Sequence, residues 1–159
     1  MSPSSTRDAD DDARNPVVIR QLDEADLGAI VAIDASVMKR SRVEYFRDKI
    51  HAALRESRIH LSLIAELDGN VVGFLMARIH YGEFGRPEPT AVFDSIGVHA
   101  DFQGRRVGST LMAEFVRHAK LLDIERVRTE VAWNDVALIR FLDHVGFGPS
   151  NRLVLEKPL

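Results

Sequence analysis

The feature that most constrains the fold is a strand pattern that leads, through a glycine-containing turn, into an amphipathic helix pattern. Residues 91–98 read AVFDSIGV, a mostly apolar run interrupted by Asp94 and Ser95, which is typical of a buried strand. Beyond Gly104 and Gly108, apolar side chains recur at helical spacing. Because such a helix must bury its apolar face against the sheet, the pattern predicts an α/β fold.

The rest of the chain likewise alternates between segments with the periodicity of strands and segments with the periodicity of helices. Strands are predicted at residues 17–19, 59–66, 71–80, 91–98, 126–131 and 153–155. Helices are predicted after the N-cap Asp23, over 42–55, over 107–122 and over 135–144, with Gly146 ending the last. The Asp68-Gly69 pair predicts a hairpin, and residues 81–89 read as a loop. This order predicts one domain over residues 16–159, an α/β fold whose mixed central sheet of about six or seven strands is flanked by helices on both faces.

Composition narrows the functions that such a domain can have. Residues 1–15 are rich in Ser and Asp and nearly devoid of apolar side chains, so we expect a disordered leader. A formal net charge of −3 predicts no attraction to nucleic acid or to a membrane surface. The absence of Cys excludes a cysteine nucleophile, a disulfide framework and a thiolate metal site. With no apolar run near the length of a membrane span, a cytoplasmic protein is expected.

The turn after the strand at 91–98 has the chemistry of an anion site. A helix N-terminus leaves backbone N–H groups unpaired and carries a partial positive charge, so it attracts a pyrophosphate. Gly104 and Gly108 allow close approach of the backbone, and Arg105 and Arg106 add charge. An ordinary strand-to-helix turn with two solvated arginines is the alternative. The G-x-x-x-x-G-K-[ST] and G-x-G-x-x-G signatures are both absent.

Taken as a whole, this segment resembles the GCN5-related N-acetyltransferase (GNAT) superfamily, whose hallmark is Q/R-x-x-G-x-G/A after an apolar strand. Here the hallmark reads Gln103-x-x-Arg106-x-Gly108, with Arg106 in place of the first glycine. The resemblance covers residues 16–159 and implies acetyl-CoA as co-substrate. The cofactor-binding residues that it implies are Ile96, Gly97 and Val98 for the pantetheine arm, Gln103, Gly104, Arg105, Arg106, Val107, Gly108 and Ser109 for the pyrophosphate, and Asn134 or, in another register, Asp135.

Catalysis of acetyl transfer requires a base for the ammonium, a donor for the oxyanion and an exit for the thiolate. The resemblance implies the backbone N–H of Val98 as the oxyanion donor. Strand alternation predicts that Asp94 shares a face with Ile96 and Val98, which makes it the candidate base, with a structural role as the alternative. Glu130 is the second choice for the base.

No acid is evident at the position where many members of the family have a Tyr, because Leu142 falls there. Tyr81 is then the candidate acid, and water is the alternative, since a thiol leaves tolerably well without strong acid assistance. The six histidines lack metal-site spacing, so no metal is expected.

The resemblance therefore implies an enzyme that moves an acetyl group to a primary amine by direct attack. A non-catalytic acyl-CoA-binding sensor or regulatory module is the alternative. Partners are expected to be a small-molecule amine or a protein or peptide acceptor, with a homodimer left open. The basic segment 39–49 is in this family near the acceptor channel, which predicts a neutral or acidic acceptor; a solvated helix face is the alternative.

Overall fold

The computed structural model describes residues 16–55, 59–82 and 84–159. They fall into two compact units, one ending at Thr129 and the other spanning Glu130–Leu159. The predicted leader at 1–15 lies outside the described residues. In the part of the chain that is described, no helix is long and apolar enough to cross a membrane.

The first unit contains one sheet and three α-helices. Its strands are β1 (Val18–Gln21), β2 (Leu63–Leu67), β3 (Asn70–His80), β4 (Thr90–Val98) and β5 (Arg126–Arg128). Its helices are α1 (Leu27–Met38), α2 (Val43–Arg55) and α3 (Val107–Leu121), with short 3-10 turns at Glu24–Asp26 and Ala100–Phe102.

The strands follow one another across the sheet in the order β1-β2-β3-β4-β5. The first four are antiparallel neighbours, whereas β4 and β5 are parallel. The predicted mixed sheet is therefore confirmed, but the predicted six or seven strands are wrong, since the described residues form five. The strand expected at 153–155 is an irregular segment, because no strand edge among the described residues pairs with it.

Local sequence accounts for the turns that shape this sheet. Asp68 and Gly69 both have positive φ, 52° and 75°, as the tight hairpin between β2 and β3 requires. Asp23 accepts from Ala25 N, and Asp26 in turn accepts from Asp23 N at 2.8 Å, which forms the predicted capping box. Arg20 of β1 then binds both oxygens of Asp26 at 2.7 and 2.8 Å, so the cap fixes the exit from β1.

Helices cover both faces of the sheet in this unit. On one face, Phe46 of α2 packs edge-on against Phe74 of β3, with ring centroids 5.6 Å apart, in a buried cluster that includes Ile30 of α1. On the other face, the Phe115 ring of α3 packs against Phe93 of β4, with centroids 5.9 Å apart. Phe74 therefore marks the α1/α2 face of the sheet and Phe93 marks the α3 face. Residues of β3 and β4 that are directly paired share a face, so each pair can be assigned to one of the two.

The second unit contains one α-helix, α4 (Val136–His144). The Asp135 side chain accepts from Leu138 N at 3.1 Å and caps its N-terminus. Gly146, with φ 93°, ends the helix as predicted, and Phe147 N donates back to Leu142 O at 2.9 Å. Leu142 itself is buried.

Candidate functional site

The central feature is an open edge on the C-terminal half of β4. Strand β5 pairs with β4 only at Thr90, Ala91 and Val92, and Thr129 Oγ1 donates to Phe93 O at 2.9 Å where the pairing ends. Among the described residues, no strand pairs with residues 95–98 on that side. An unpaired strand edge offers N–H and C=O groups to an extended ligand that carries amides.

The open edge presents the backbone of alternate residues. His99 N donates to Val72 O of β3 at 2.9 Å, and backbone groups of successive strand residues point to opposite sides. The N–H and C=O groups of Val98 and Ile96 therefore point to the open edge, whereas those of Gly97 point to β3. Gly97 has a different role, because a Cβ there would lie 2.6 Å from Cε1 of the Phe74 ring.

The turn after β4 is closed by its own side chains. Gln103 Nε2 donates to Val98 O at 3.2 Å, and His99 Nδ1 accepts from Asp101 N at 3.2 Å. Gly104 and Arg106 both have positive φ, 79° and 62°. These contacts lead the chain from the end of the open edge directly into α3.

The N-terminus of α3 is left without a side-chain cap among the described residues. Its first intrahelical hydrogen bond runs from Thr110 N to Arg106 O at 2.9 Å, so the N–H groups of Val107, Gly108 and Ser109 precede it. The Val107 side chain is buried, which fixes the helix on the sheet, while Gly108 and Ser109 are half-buried. With Arg105 and Arg106 exposed beside it, this end of the helix fits a pyrophosphate.

Asp94 lies on a β-bulge beside the open edge. Met76 pairs with Ser95 and Ala77 with Phe93, so Asp94 is the extra residue. Because of this extra residue, side chains after Asp94 lie on the opposite face of the sheet from the one that strict alternation along β4 would give them. Phe93 lies on the α3 face, Asp94 and Ser95 on the α1/α2 face, and Ile96 and Val98 on the α3 face. The prediction that Asp94 shares a face with Ile96 and Val98 is therefore wrong.

Two cations bind the Asp94 carboxylate. Lys49 of α2 pairs with Oδ1 and also donates to Ser95 Oγ at 2.6 Å, and Arg78 of β3 donates to Oδ2 from Nη1 at 3.0 Å. Asp94 thus ties α2 to the sheet at the bulge, which agrees with the structural role. Its role as a base stays a prediction.

The sequence profile described as the acetyltransferase (GNAT) family matches residues 29–147. The chain belongs to the GNAT family. It is therefore an N-acetyltransferase with acetyl-CoA as co-substrate, in agreement with what the resemblance implied. The open edge of β4 and the turn into α3 lie inside the matched residues. No curated protein sequence matches the chain.

Solved structures agree in fold with this GNAT protein. Aminoglycoside N-acetyltransferase AAC(6′)-Iy in complex with CoA has 17% identity and a TM-score of 0.76, with 99% of each chain covered. AAC(6′)-Ih from Acinetobacter baumannii has 17% identity and a TM-score of 0.75, covering 90% of this chain and 98% of its own. A transcriptional regulator from Bacillus halodurans C-125 has 21% identity and a TM-score of 0.71, covering 90% and 99%.

Arg106 has a physical explanation within the GNAT hallmark. The hallmark has Gly where this chain has Arg106, and the left-handed φ of 62° there is one that glycine adopts without steric cost. Arg106 adopts the same conformation with a side chain. The departure from the hallmark therefore preserves the turn and adds a cation to it.

Tyr81 is not brought to the open edge. It follows β3, and its neighbour His80 pairs with Thr90 at the start of β4, whereas Val98 is at the other end. Eight residues of strand separate Thr90 from Val98, about 26 Å at 3.3 Å per residue. Tyr81 is 71% exposed at that far end, which removes the support for it as the acid.

In the second unit, the two alternatives for the Asn position differ in their contacts. The Asp135 side chain is occupied by the cap of α4, whereas the exposed Asn134 uses its backbone oxygen to accept from Val136 N at 3.0 Å. The assignment of Asn134, or of Asp135, to the cofactor stays a prediction. The described residues hold no group of three or more His, Asp or Glu side chains placed to bind a metal.

Sequence reasoning missed Lys49 and Arg78 as neighbours of Asp94. Lys49 lies in the basic segment 39–49, 45 residues from Asp94 in the chain. Periodicity reports which face of its own helix a residue occupies, and it carries no information on which strand that face meets.

Proposed function

We propose that this GNAT protein transfers the acetyl group of acetyl-CoA to a primary amine of a small molecule or a peptide by direct attack of the amine on the thioester. The observation that carries the proposal is the continuity of two binding elements. An open strand edge that presents Ile96 and Val98 runs through a closed turn into an uncapped helix N-terminus. The edge suits the amides of the pantetheine arm, and the helix end suits the pyrophosphate.

The chain's own groups supply the chemistry in this proposal. The N–H of Val98 points to the open edge, where it stabilises the oxyanion that develops on the acetyl carbonyl. Asp94 is four residues, or about 13 Å, upstream of Val98 on β4, so it accepts the proton of the ammonium through bridging water. No side chain is assigned to protonate the thiolate, because Leu142 is a buried aliphatic residue. Water serves instead.

The structural neighbours favour a small molecule as the acceptor. AAC(6′)-Iy has been solved with a bisubstrate analogue that joins CoA to monomethyl-acetylneamine, and AAC(6′)-Ih is an aminoglycoside 6′-N-acetyltransferase. At 17–18% identity these neighbours support the scaffold and the amine class, and the particular amine is open.

Two features depart from the catalytic set that the resemblance implied: both carboxylate oxygens of Asp94 are already bound, and the usual acid position holds Leu142. CoA binding at the edge and turn therefore does not by itself test the transfer step.

The test measures binding and turnover in the same preparation. Saturating CoA should raise the melting temperature, and Gly108→Val should abolish the rise by placing a branched side chain at the end of α3 that receives the pyrophosphate. Gly28→Val is the matched control, because Gly28 is likewise the second residue of its helix and a Cβ there meets nothing within 4 Å.

Turnover is then measured as CoA release with a panel of primary amines. Acetyl transfer to at least one amine supports the enzyme. CoA stabilisation without transfer to any amine or peptide would refute the proposed transfer. An unchanged melting temperature at saturating CoA would refute the binding site itself.

A further inference from the structure

The Asp94 bulge carries more positive than negative charge. Lys49 and Arg78, hereafter the cation pair, converge on one carboxylate beside the open edge of β4. The group thus has two positive charges for one negative charge. This excess is a local feature of a chain whose formal net charge is −3.

Two other cations of the segment 39–49, Arg42 and Arg47, each have a carboxylate partner of their own. Arg42 binds Asp34 through two nitrogens, at 2.8 Å for Nε to Oδ2, and Arg47 binds Glu44 on the surface of α2. Arg42 and Arg47 therefore add little net charge to the segment 39–49, which predicted a neutral or acidic acceptor. The prediction of an acidic acceptor now depends on the cation pair, where two positive charges share the single carboxylate of Asp94.

Arg78 has donors left for a ligand. Its side chain is 61% exposed, and its hydrogen bond to Asp94 uses one nitrogen, Nη1, of the three. Lys49 is only 19% exposed and is held between Asp94 and Ser95. Lys49 therefore fixes the carboxylate, while the planar fork of Arg78 retains the geometry that matches a second carboxylate.

We propose that the cation pair is the acceptor's acid-binding subsite, with Arg78 pairing to a carboxylate that the acceptor carries in addition to its amine. This inference rests on the proposed function. The acetyl-receiving end of the site is at Val98, four residues or about 13 Å along β4 from Asp94. Arg78 pairs with Val92 in the ladder, so its guanidinium reaches Asp94 from the side away from Val98 and leaves that span to the acceptor. The acceptor class is thus a primary amine separated from a carboxylate by several bonds, such as an ω-amino acid or a short peptide.

The experiment compares acceptors that differ only in charge. Steady-state kcat/KM is measured at low salt for 5-aminopentanoate and for its neutral amide, 5-aminopentanamide. The wild type should use the carboxylate about twofold to fivefold better, the size of an exposed charge-assisted pair. Arg78→Gln should bring the ratio close to one, mainly through KM, whereas Arg78→Lys should retain part of it.

Arg47→Gln is the matched control. Arg47 is 53% exposed, carries one carboxylate partner, as Arg78 does, and bonds to α2 rather than to β4. Its removal should leave the carboxylate preference unchanged. An equal loss of preference in Arg47→Gln would assign the effect to the general field of the protein rather than to the subsite.

Failure of this inference is distinguishable from failure of the proposed function. If the amide is used as well as the carboxylate, or a polycationic aminoglycoside is used better than either, the subsite is refuted while acetyl transfer stands. If no amine is acetylated, calorimetric titration of 5-aminopentanoate into the CoA complex decides. Binding by the wild type and not by Arg78→Gln supports the subsite, and equal or absent binding overturns it.

Discussion

Replacing Arg106 by glycine should change the stability of the protein and its affinity for CoA in opposite directions. Arg106 holds a left-handed φ of 62° at the N-terminus of α3. That conformation costs a residue with a side chain about 1–2 kcal/mol, and glycine avoids the cost. The greater backbone entropy of glycine in the unfolded chain offsets about 0.5–1 kcal/mol. The net expectation for Arg106→Gly is a gain of about 0.5–1 kcal/mol in the free energy of unfolding.

The same substitution removes an exposed guanidinium from the pyrophosphate end of the helix. Losing one partly solvated cation should weaken CoA binding by about 1 kcal/mol, roughly fivefold in Kd. Arg106→Ala separates the two effects, because alanine removes the same charge but keeps the cost of the left-handed φ. Both variants should lose the same affinity, while the glycine variant should be about 1 kcal/mol more stable than the alanine variant.

Urea unfolding followed by circular dichroism gives the stability, and calorimetric titration of CoA gives the affinity. The explanation of the hallmark position is refuted if Arg106→Gly is no more stable than Arg106→Ala. The proposed contribution of the Arg106 charge to CoA binding is refuted if neither variant binds CoA more weakly than the wild type.

Three further predictions follow from the geometry. Asp94→Asn should lower turnover more at neutral pH than at high pH, where the amine is already deprotonated; a loss that does not vary with pH would indicate a structural role. Gly97→Ala should lower the free energy of unfolding by about 1–3 kcal/mol, because the new Cβ would lie 2.6 Å from the buried Phe74 ring. Urea unfolding measures this, and a change below about 0.5 kcal/mol would contradict it. Burial alone raises the pKa of Asp26, but hydrogen bonds from Arg20 and from the Asp23 backbone outweigh it and leave the pKa below its ordinary value of about 3.9. A carboxyl whose pKa is lowered on folding stabilises the protein fully above its unfolded-state pKa, and this stability is lost as the pH falls toward the folded-state pKa. Arg20→Gln should therefore cost about 1–2 kcal/mol at pH 7, and the difference from the wild type should shrink as the pH falls below about 4. An equal difference at pH 7 and pH 3 would exclude a coupling between Asp26 ionisation and stability.

The elements of the site that depend on local patterns could be predicted from the sequence. The hairpin at Asp68 and Gly69, the capping box at Asp23 and the helix end at Gly146 each depend on residues within one turn of one another. The same holds for the turn into α3, where Gly104 adopts the positive φ that its position requires. Such features are encoded by neighbours in the chain, so reading the chain in order is sufficient to find them.

The number of strands was predicted less well because strand pairing is not local. The alternating segment 126–131 and the apolar run 153–155 have the pattern of strands, but β5 ends at Arg128 and the second run is irregular. A strand exists only where another edge supplies hydrogen bonds along its length. The early end of β5 is also what opens the edge of β4 at residues 95–98.

The sequence alone determined that the chain alternates strands and helices around an anion-binding turn of the GNAT type. The tertiary structure alone decided which face Asp94 occupies and which cations meet there. A bulge of one residue reverses every later side chain on a strand, and its position is fixed by the partner strand rather than by the residue itself. Lys49, Arg78 and Asp94 come from a helix and two strands, so only the packing of those elements could place two positive charges on one carboxylate beside the open edge.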